Sequence, residues 1–208
     1  MNSLAITLVS WTAVTAGSLS TIAQFRRVTA TGIEGVSSAT WLLFTFIGAF
    51  WMAYGSLSAH SLAVVMGSLL IWPLQLAIVF RLAPWRHPRG SLQAVAMFLA
   101  TCVAPGLVGG WSWCVYGCGL AMTLLRGPQL LELLRTRDAS GVSAASWFLG
   151  VGCAVLWIVY YSQVQLWAPL IATAASGTGS LLIASLTVWR HRQATEELVR
   201  LEVFAQMS

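Results

Sequence analysis

Long runs without a charged residue, separated by short arginine-bearing turns, set the pattern of this chain. Four such runs occupy Met1–Phe25, Gly35–Phe80, Gly90–Leu125 and Ala139–Trp189. A helix needs roughly 20 residues to cross a hydrocarbon core, so the four runs predict one, two, two and two spanning helices. The spans fall at 3–23, 37–57, 61–81, 92–109, 111–131, 142–161 and 166–189. The third run is short for two spans, which predicts that the fifth helix continues past Arg126 to Leu131. Short neutral turns near Gly55–Ser61, Pro105–Gly110 and Tyr161–Gln165 join the spans at one side.

Composition agrees with this pattern. Hydrophobic residues make up 58% and charged residues 8%, against about a quarter charged in an ordinary soluble domain. The protein is therefore expected to be an all-α integral membrane protein. Its basic residues are all arginine and group at Arg26/Arg27, Arg81/Arg86/Arg89, Arg126/Arg135/Arg137 and Arg190/Arg192/Arg200. With seven spans these groups share one side, and the positive-inside tendency makes that side cytoplasmic. The N-terminus then lies outside and the C-terminus inside, with the cell membrane as the expected location. No positive segment precedes the first span, so it is expected to be retained and not cleaved as a signal peptide. Trp111, Trp113 and Trp167 fall at predicted outer ends, and Trp85 and Trp189 at inner ends, where amphipathic rings anchor. The basic groups form no continuous stripe, which argues against a nucleic-acid partner.

The chain also repeats itself. Gly35–Tyr54 placed over Gly141–Tyr160 matches at Gly35/Gly141, Val36/Val142, Ser37/Ser143, Ala39/Ala145, Trp41/Trp147, Leu43/Leu149, Trp51/Trp157 and Tyr54/Tyr160. Gly67–Ile71 and Gly179–Ile183 share a second block, and Gln24 and Gln129 precede the first at nearly equal distance. Each unit holds three spans, an odd number, so span 92–109 serves to bring the second unit into the membrane in the same sense as the first. This predicts a 3+1+3 arrangement: residues 1–81 as the first unit, 82–110 as turn and inverting helix, 111–190 as the second unit, and 191–208 as a cytoplasmic tail that extends the last helix. Parallel repeats about an axis along the membrane normal are a known transporter plan, with the substrate site between the repeats.

Gly127-Pro128-Gln129-Leu130, Arg135, Gly141-Val142-Ser143, Trp157 and Tyr160 resemble a PQ-loop unit of the SWEET/SemiSWEET (MtN3/saliva) sugar-transporter family. Ala23-Gln24, Arg26/Arg27, Gly35-Val36-Ser37 and Trp51-Met52-Ala53-Tyr54 resemble it again, so the likeness covers nearly the whole chain. The resemblance implies alternating-access facilitated diffusion of a small solute, a mono- or disaccharide, with Trp51 and Trp157 at the sugar. It also implies polar residues on the third helix of each unit. The family has asparagine there, whereas this chain offers Ser68, Thr173, Ser176, Thr178 and Ser180. Gates and hinges are expected at Gln24, Pro128, Gln129, Tyr54 and Tyr160. Of four family prolines only Pro128 is present, with Ala23, Ala39 and Ala145 at the other places. Pro73 is a separate kink candidate in the third span. Proton-coupled PQ-loop relatives carry a membrane Asp where Phe44 and Gly150 stand here, which points to uncoupled transport.

Arg126, opposite Thr21 in the repeat, has two readings: it turns to the cytoplasmic face near Glu132, or it contacts an anionic substrate. The second makes the solute a small organic anion or amino acid. Another reading is a PQ-loop receptor or assembly factor that binds without transporting. Glu34, Glu132 and Asp138 are expected to pair with nearby arginines. Cys102, Cys114, Cys118 and Cys153 have no His or acid at metal-site spacing, and His60, His87 and His191 lack a nucleophile and acid around them. Neither an enzyme nor a cofactor or metal is expected. Expected partners are the solute and the bilayer, and the sequence leaves homo-oligomerisation open.

Overall fold

The computed structural model describes residues 3–58, 60, 62–86, 88–136 and 138–207. Asn2, His87 and Arg137 lie outside the described residues. The helices are α1 (Ser3–Thr31), α2 (Ser38–Leu57), α3 (Leu62–Leu69), α4 (Trp72–Leu82), α5 (Pro88–Phe98), α6 (Ala104–Leu124), α7 (Arg126–Arg135), α8 (Ala144–Gln163) and α9 (Trp167–Met207). No strand forms among the described residues. Six helical stretches are long and apolar enough to cross a membrane: Ser3–Thr31, Ser38–Leu57, Leu62–Arg86, Pro88–Arg135, Ala144–Gln163 and Pro169–Arg200. Their outward faces are apolar, with Leu107 84% and Val108 81% exposed. Side chains of that kind suit lipid better than water.

The stretch Pro88–Arg135 joins two expected spans into one helical run of 48 residues. Straight, it would measure about 72 Å, more than twice the hydrocarbon thickness. It reverses instead at Gly110, where φ is 67° and ψ −155°. Glycine enters that conformation without the steric penalty of a side chain. Residues on either side face each other: Gly117 abuts the Thr101 carbonyl and the Cys114 thiol donates to the Cys102 carbonyl at 3.3 Å. The first arm lies alongside α2 in the same direction, with Gly90 at Ser38 and Phe98 at Phe46, ring centroids 5.4 Å apart. The second arm returns along α2 from Trp111 beside Tyr54, centroids 6.2 Å apart, to Leu125 beside Thr40.

Two other helices break where proline removes a donor. The third apolar stretch is interrupted at Leu70 and Ile71, immediately before Pro73 in the first turn of α4. The break between α6 and α7 falls at Leu125, three residues before Pro128. Proline has no N–H for the carbonyl four residues back, and the neighbouring Leu125 carbonyl accepts from Thr40 Oγ1 at 2.8 Å. By contrast α1 runs unbroken through Ala23, while Ala39 and Ala145 lie in the first turns of α2 and α8. Helix α1 extends to Thr31, beyond the expected span end at 23, because main-chain hydrogen bonding continues past the apolar run. For the same reason α9 runs through the arginines into its exposed tail.

Six packed columns close into a ring: α1, α3/α4, α2, α6/α7, α9, α8 and back to α1. The α1–α8 seam is built from small residues. Ala13, Gly17 and Thr21 on α1 recur every fourth residue, and so do Ser146, Gly150 and Ala154 on α8. Such stripes let helix backbones approach closely in lipid. A Cβ on Gly17 would lie 3.4 Å from Cys153 Sγ, and the Cys153 thiol reaches the Ala13 carbonyl at 3.3 Å. In the α2–α6 seam the repeat places Met122 opposite Gly17, and Phe50 meets Trp111 there at 6.1 Å. One seam is thus narrow and the other is filled by large side chains.

Candidate functional site

The Gly-Val-Ser loops before α2 and α8 are built for mutual contact. Ser37 Oγ caps α2 by accepting from Thr40 N, and Ser143 Oγ caps α8 by accepting from Ser146 N. Val36 and Val142 are buried in the core beneath the loops. Gly35, at φ 74°, approaches the Asp138 carbonyl so closely that a Cβ would lie 2.8 Å from it, and a Cβ on Gly141 would lie 2.6 Å from the Gly32 carbonyl. Gly141 N donates to the Glu34 carbonyl at 3.1 Å, which joins the two loops directly.

Gln24 and Gln129 complete this joint by crossing between units. Gln24 Nε2 donates to the Gly141 carbonyl at 2.8 Å and its Oε1 accepts from Ser143 N at 2.9 Å. Gln129 Nε2 donates to the Gly35 carbonyl at 2.6 Å and its Oε1 accepts from Ser37 N at 2.9 Å. Each amide satisfies one main-chain donor and one acceptor of the other unit's loop, and both side chains are fully buried. The repeat thus appears in space as two reciprocal clasps at the arginine-bearing end. Among the described residues no ion pair joins these acids to an arginine, contrary to expectation. Asp138 accepts from Ser140 N and Glu132 from Thr136 Oγ1. Arg27 donates instead to the Ser140 carbonyl and Arg190 to those of Leu133 and Leu134, because helix ends and loops there offer unpaired carbonyls.

Above the clasps, inside the ring, lies a cavity of about 220 Å³. Its wall brings together Trp51, Trp157, Ser68, Thr173, Ser176, Ser180 and Arg126, all candidates from the sequence. Ser68 and Ser180 hold equivalent repeat positions, as do Trp51 and Trp157. The remaining gate candidates stand outside the wall. Gln24 and Gln129 form the clasps, and Pro128 is buried in α7. Tyr54 and Tyr160 pack edge-on against Trp51 and Trp157, at 5.7 Å and 5.4 Å. Tyr161 lines the cavity in place of Tyr160 and stacks on Trp157 at 5.5 Å. Register matching favours Tyr160 because it is the partner of Tyr54, and nothing in the repeat marks the next residue.

Arg126 turns into the cavity and away from Glu132. Its guanidinium sits 5.3 Å from the Phe44 ring centroid, Nε donates to Ser180 Oγ at 3.3 Å, and Nη1 donates to the Met122 carbonyl. Side chains on a helix lean toward its N-terminus, which on this arm leads back into the bundle. Gly179 makes the room: a Cβ there would lie 3.1 Å from Arg126 Cβ and Cγ. Phe44 and Gly150 both line the wall. None of the six Asp and Glu residues does.

Gln75 was not among the candidates. It is 3% exposed, lines the same cavity, and its Oε1 has no hydrogen-bond partner among the described residues. A polar amide in an otherwise apolar span is a signal the sequence does carry.

No protein-family model matches the chain, and no curated protein or solved structure matches it either. Composition and fold define an all-helical class with six helices long and apolar enough to cross a membrane and a cavity between them.

Proposed function

We propose that this protein is a transporter that moves a small solute across the membrane by alternating access, without a coupled ion. In this reading the chain crosses the bilayer seven times as 3+1+3, with the N-terminus outside and the clasps at the cytoplasmic end. The reversal at Gly110 supports two crossings in the stretch Pro88–Arg135, and the arginine distribution supports the orientation. The observation that carries the reading is the cavity at the centre of the ring, walled by matched residues of both units, with the reciprocal glutamine clasps joining those units at one end. An opening that alternates between ends requires such a joint to be breakable while the two halves stay folded. Hydrogen bonds can be exchanged with water more readily than an apolar core can be exposed.

The wall supports an uncoupled mechanism, since an intramembrane acid is the usual marker of a proton relay and none lines it. Size narrows the solute. Benzene, with six carbons, occupies an apolar cavity of about 150 Å³. A cavity of about 220 Å³ therefore suits roughly nine heavy atoms on the same scale. A monosaccharide or smaller polar solute is near that limit, and a disaccharide exceeds it.

The test is uptake by proteoliposomes of labelled pentoses, hexoses and small organic acids without a pH gradient. Saturable flux above protein-free vesicles is expected for at least one, lowered about tenfold or more by Trp51→Ala or Trp157→Ala. A correctly folded protein that moves none of these solutes would end the proposal.

A further inference from the structure

Two groups in the cavity lack the partner that their burial calls for. Arg126 has five N–H donors, and two are used, by Ser180 Oγ and the Met122 carbonyl. The rest of the fork has no protein acceptor among the described residues, and no carboxylate shares the cavity with it. The Phe44 face offsets part of the cost of holding a cation here, since a desolvated cation is attracted to an aromatic face. An uncompensated charge in low dielectric remains costly, so the site is incomplete without an anion. Gln75 supplies the second vacancy: its Oε1 is buried with no donor among the described residues, so the amide gains by turning to a hydroxyl in the cavity.

Resting on the transporter reading, we propose that the carried solute is a small hydroxycarboxylate, with its carboxylate on Arg126 and a hydroxyl meeting the side-chain amide of Gln75. A guanidinium fork matches a carboxylate in two-point geometry. The apolar remainder of the solute lies against the aromatic wall of Trp51, Trp157 and Phe44. An amino acid fits less well, because its ammonium would enter a cavity without an acid. A neutral sugar would satisfy Gln75 and leave Arg126 unpaired. Arg126 has no counterpart in the first unit, where Thr21 stands, so the anion site belongs to one side of a pseudo-symmetric cavity. Gly179 is the residue that admits the arginine to it.

An anion carried without a coupled ion moves charge, and this separates it from a sugar. Proteoliposomes would be given labelled glycerate, serine or ribose, with a potassium gradient and valinomycin setting an inside-positive potential of about 100 mV. Moving one charge through 100 mV is worth about 2.3 kcal/mol, so glycerate should accumulate roughly 50-fold. Ribose should not respond to the potential, and serine should not compete with glycerate. Arg126→Gln should lower glycerate flux about tenfold or more. Gly179→Ala, which crowds the arginine without removing it, and Gln75→Leu should each raise the glycerate KM several-fold. If ribose moves and glycerate does not, the hydroxycarboxylate inference is overturned and the transporter reading stands. Glycerate flux that is unchanged in Arg126→Gln, Gly179→Ala and Gln75→Leu also overturns it. If no solute moves, the transporter reading itself fails. Thermal unfolding of each variant identifies a loss of flux caused by misfolding, and Gly179→Ala and Gln75→Leu then decide the matter.

Discussion

A glutamine that bridges two units through its amide has no conservative replacement. Gln129 offers one donor and one acceptor to the main chain of the opposite loop. Leucine fills a similar volume and strands both the Gly35 carbonyl and Ser37 N in a buried setting. Each stranded group costs about 1–3 kcal/mol, so Gln129→Leu should destabilise the protein by about 2–6 kcal/mol. Thermal unfolding in detergent would detect this, and a loss below about 0.5 kcal/mol would mean that the clasp is absent. Gln24→Leu should behave alike, since Gln24 makes the mirrored pair. The repeat in the sequence identifies both glutamines and both Gly-Val-Ser loops. Which touches which was not legible, because alignment pairs equivalent residues whereas the fold pairs each residue with the other unit. Arg126 shows a similar limit. Its charge and its departure from the repeat are visible in the sequence, but its direction depends on Gly179, 53 positions away.

At the scale of elements, the broken and unbroken helices divide the bundle into stiff and compliant parts. Helix α1 crosses the clasp region as one rod, while its counterpart in the second unit is broken at Leu125 ahead of Pro128. Thr40 holds the carbonyl at the break, and in the first unit Ser20 Oγ donates to the Ser146 carbonyl at 2.8 Å in the equivalent place. The α6/α7 column is therefore the better candidate for bending when the clasps part. Pro128→Ala restores an N–H for the Leu124 carbonyl and removes ring crowding, which favours continuous helix. The variant should unfold at a higher temperature and transport more slowly, as measured by detergent melting and initial uptake rate. Faster transport would contradict a hinge at this point. Helix breaks fall just before Pro73 and Pro128, two prolines that are plain in the sequence. The reversal at Gly110 was expected as a turn, yet its tightness was not, because a single glycine at positive φ leaves no polar turn sequence to read.

For the whole molecule, the proposed transport cycle would use the narrow seam as the pivot and part the units at the clasped end. The α1–α8 seam is tied along its length by Ala13, Gly17, Ser20 and Gln24. The α2–α6/α7 seam instead holds bulky side chains over much of its length. Rocking the units apart at the clasp end costs the four main-chain-to-glutamine hydrogen bonds, those of Gly141 N to the Glu34 carbonyl and of Arg27 and Thr31 to the Ser140 carbonyl, and the loop contact of Gly35 with Asp138 and Ala139. Each such bond is worth a net of about 0.5–1.5 kcal/mol when water can replace it. The joint therefore costs roughly 4–10 kcal/mol to open, still within reach of thermal fluctuation on a transport timescale. Freezing it should stop turnover while leaving the cavity intact. Thr31 Oγ1 donates to the Ser140 carbonyl at 2.8 Å, so these positions approach across the joint. With the four native cysteines replaced, Thr31→Cys and Ser140→Cys bridged by a short bifunctional, reducible thiol reagent should cut uptake about tenfold or more. Reduction should restore it, and ligand-induced thermal stabilisation should persist in the bridged protein if the opposite end still admits solute. Unchanged uptake in the fully bridged protein would show that this end does not open, and the alternating-access reading would have to be abandoned.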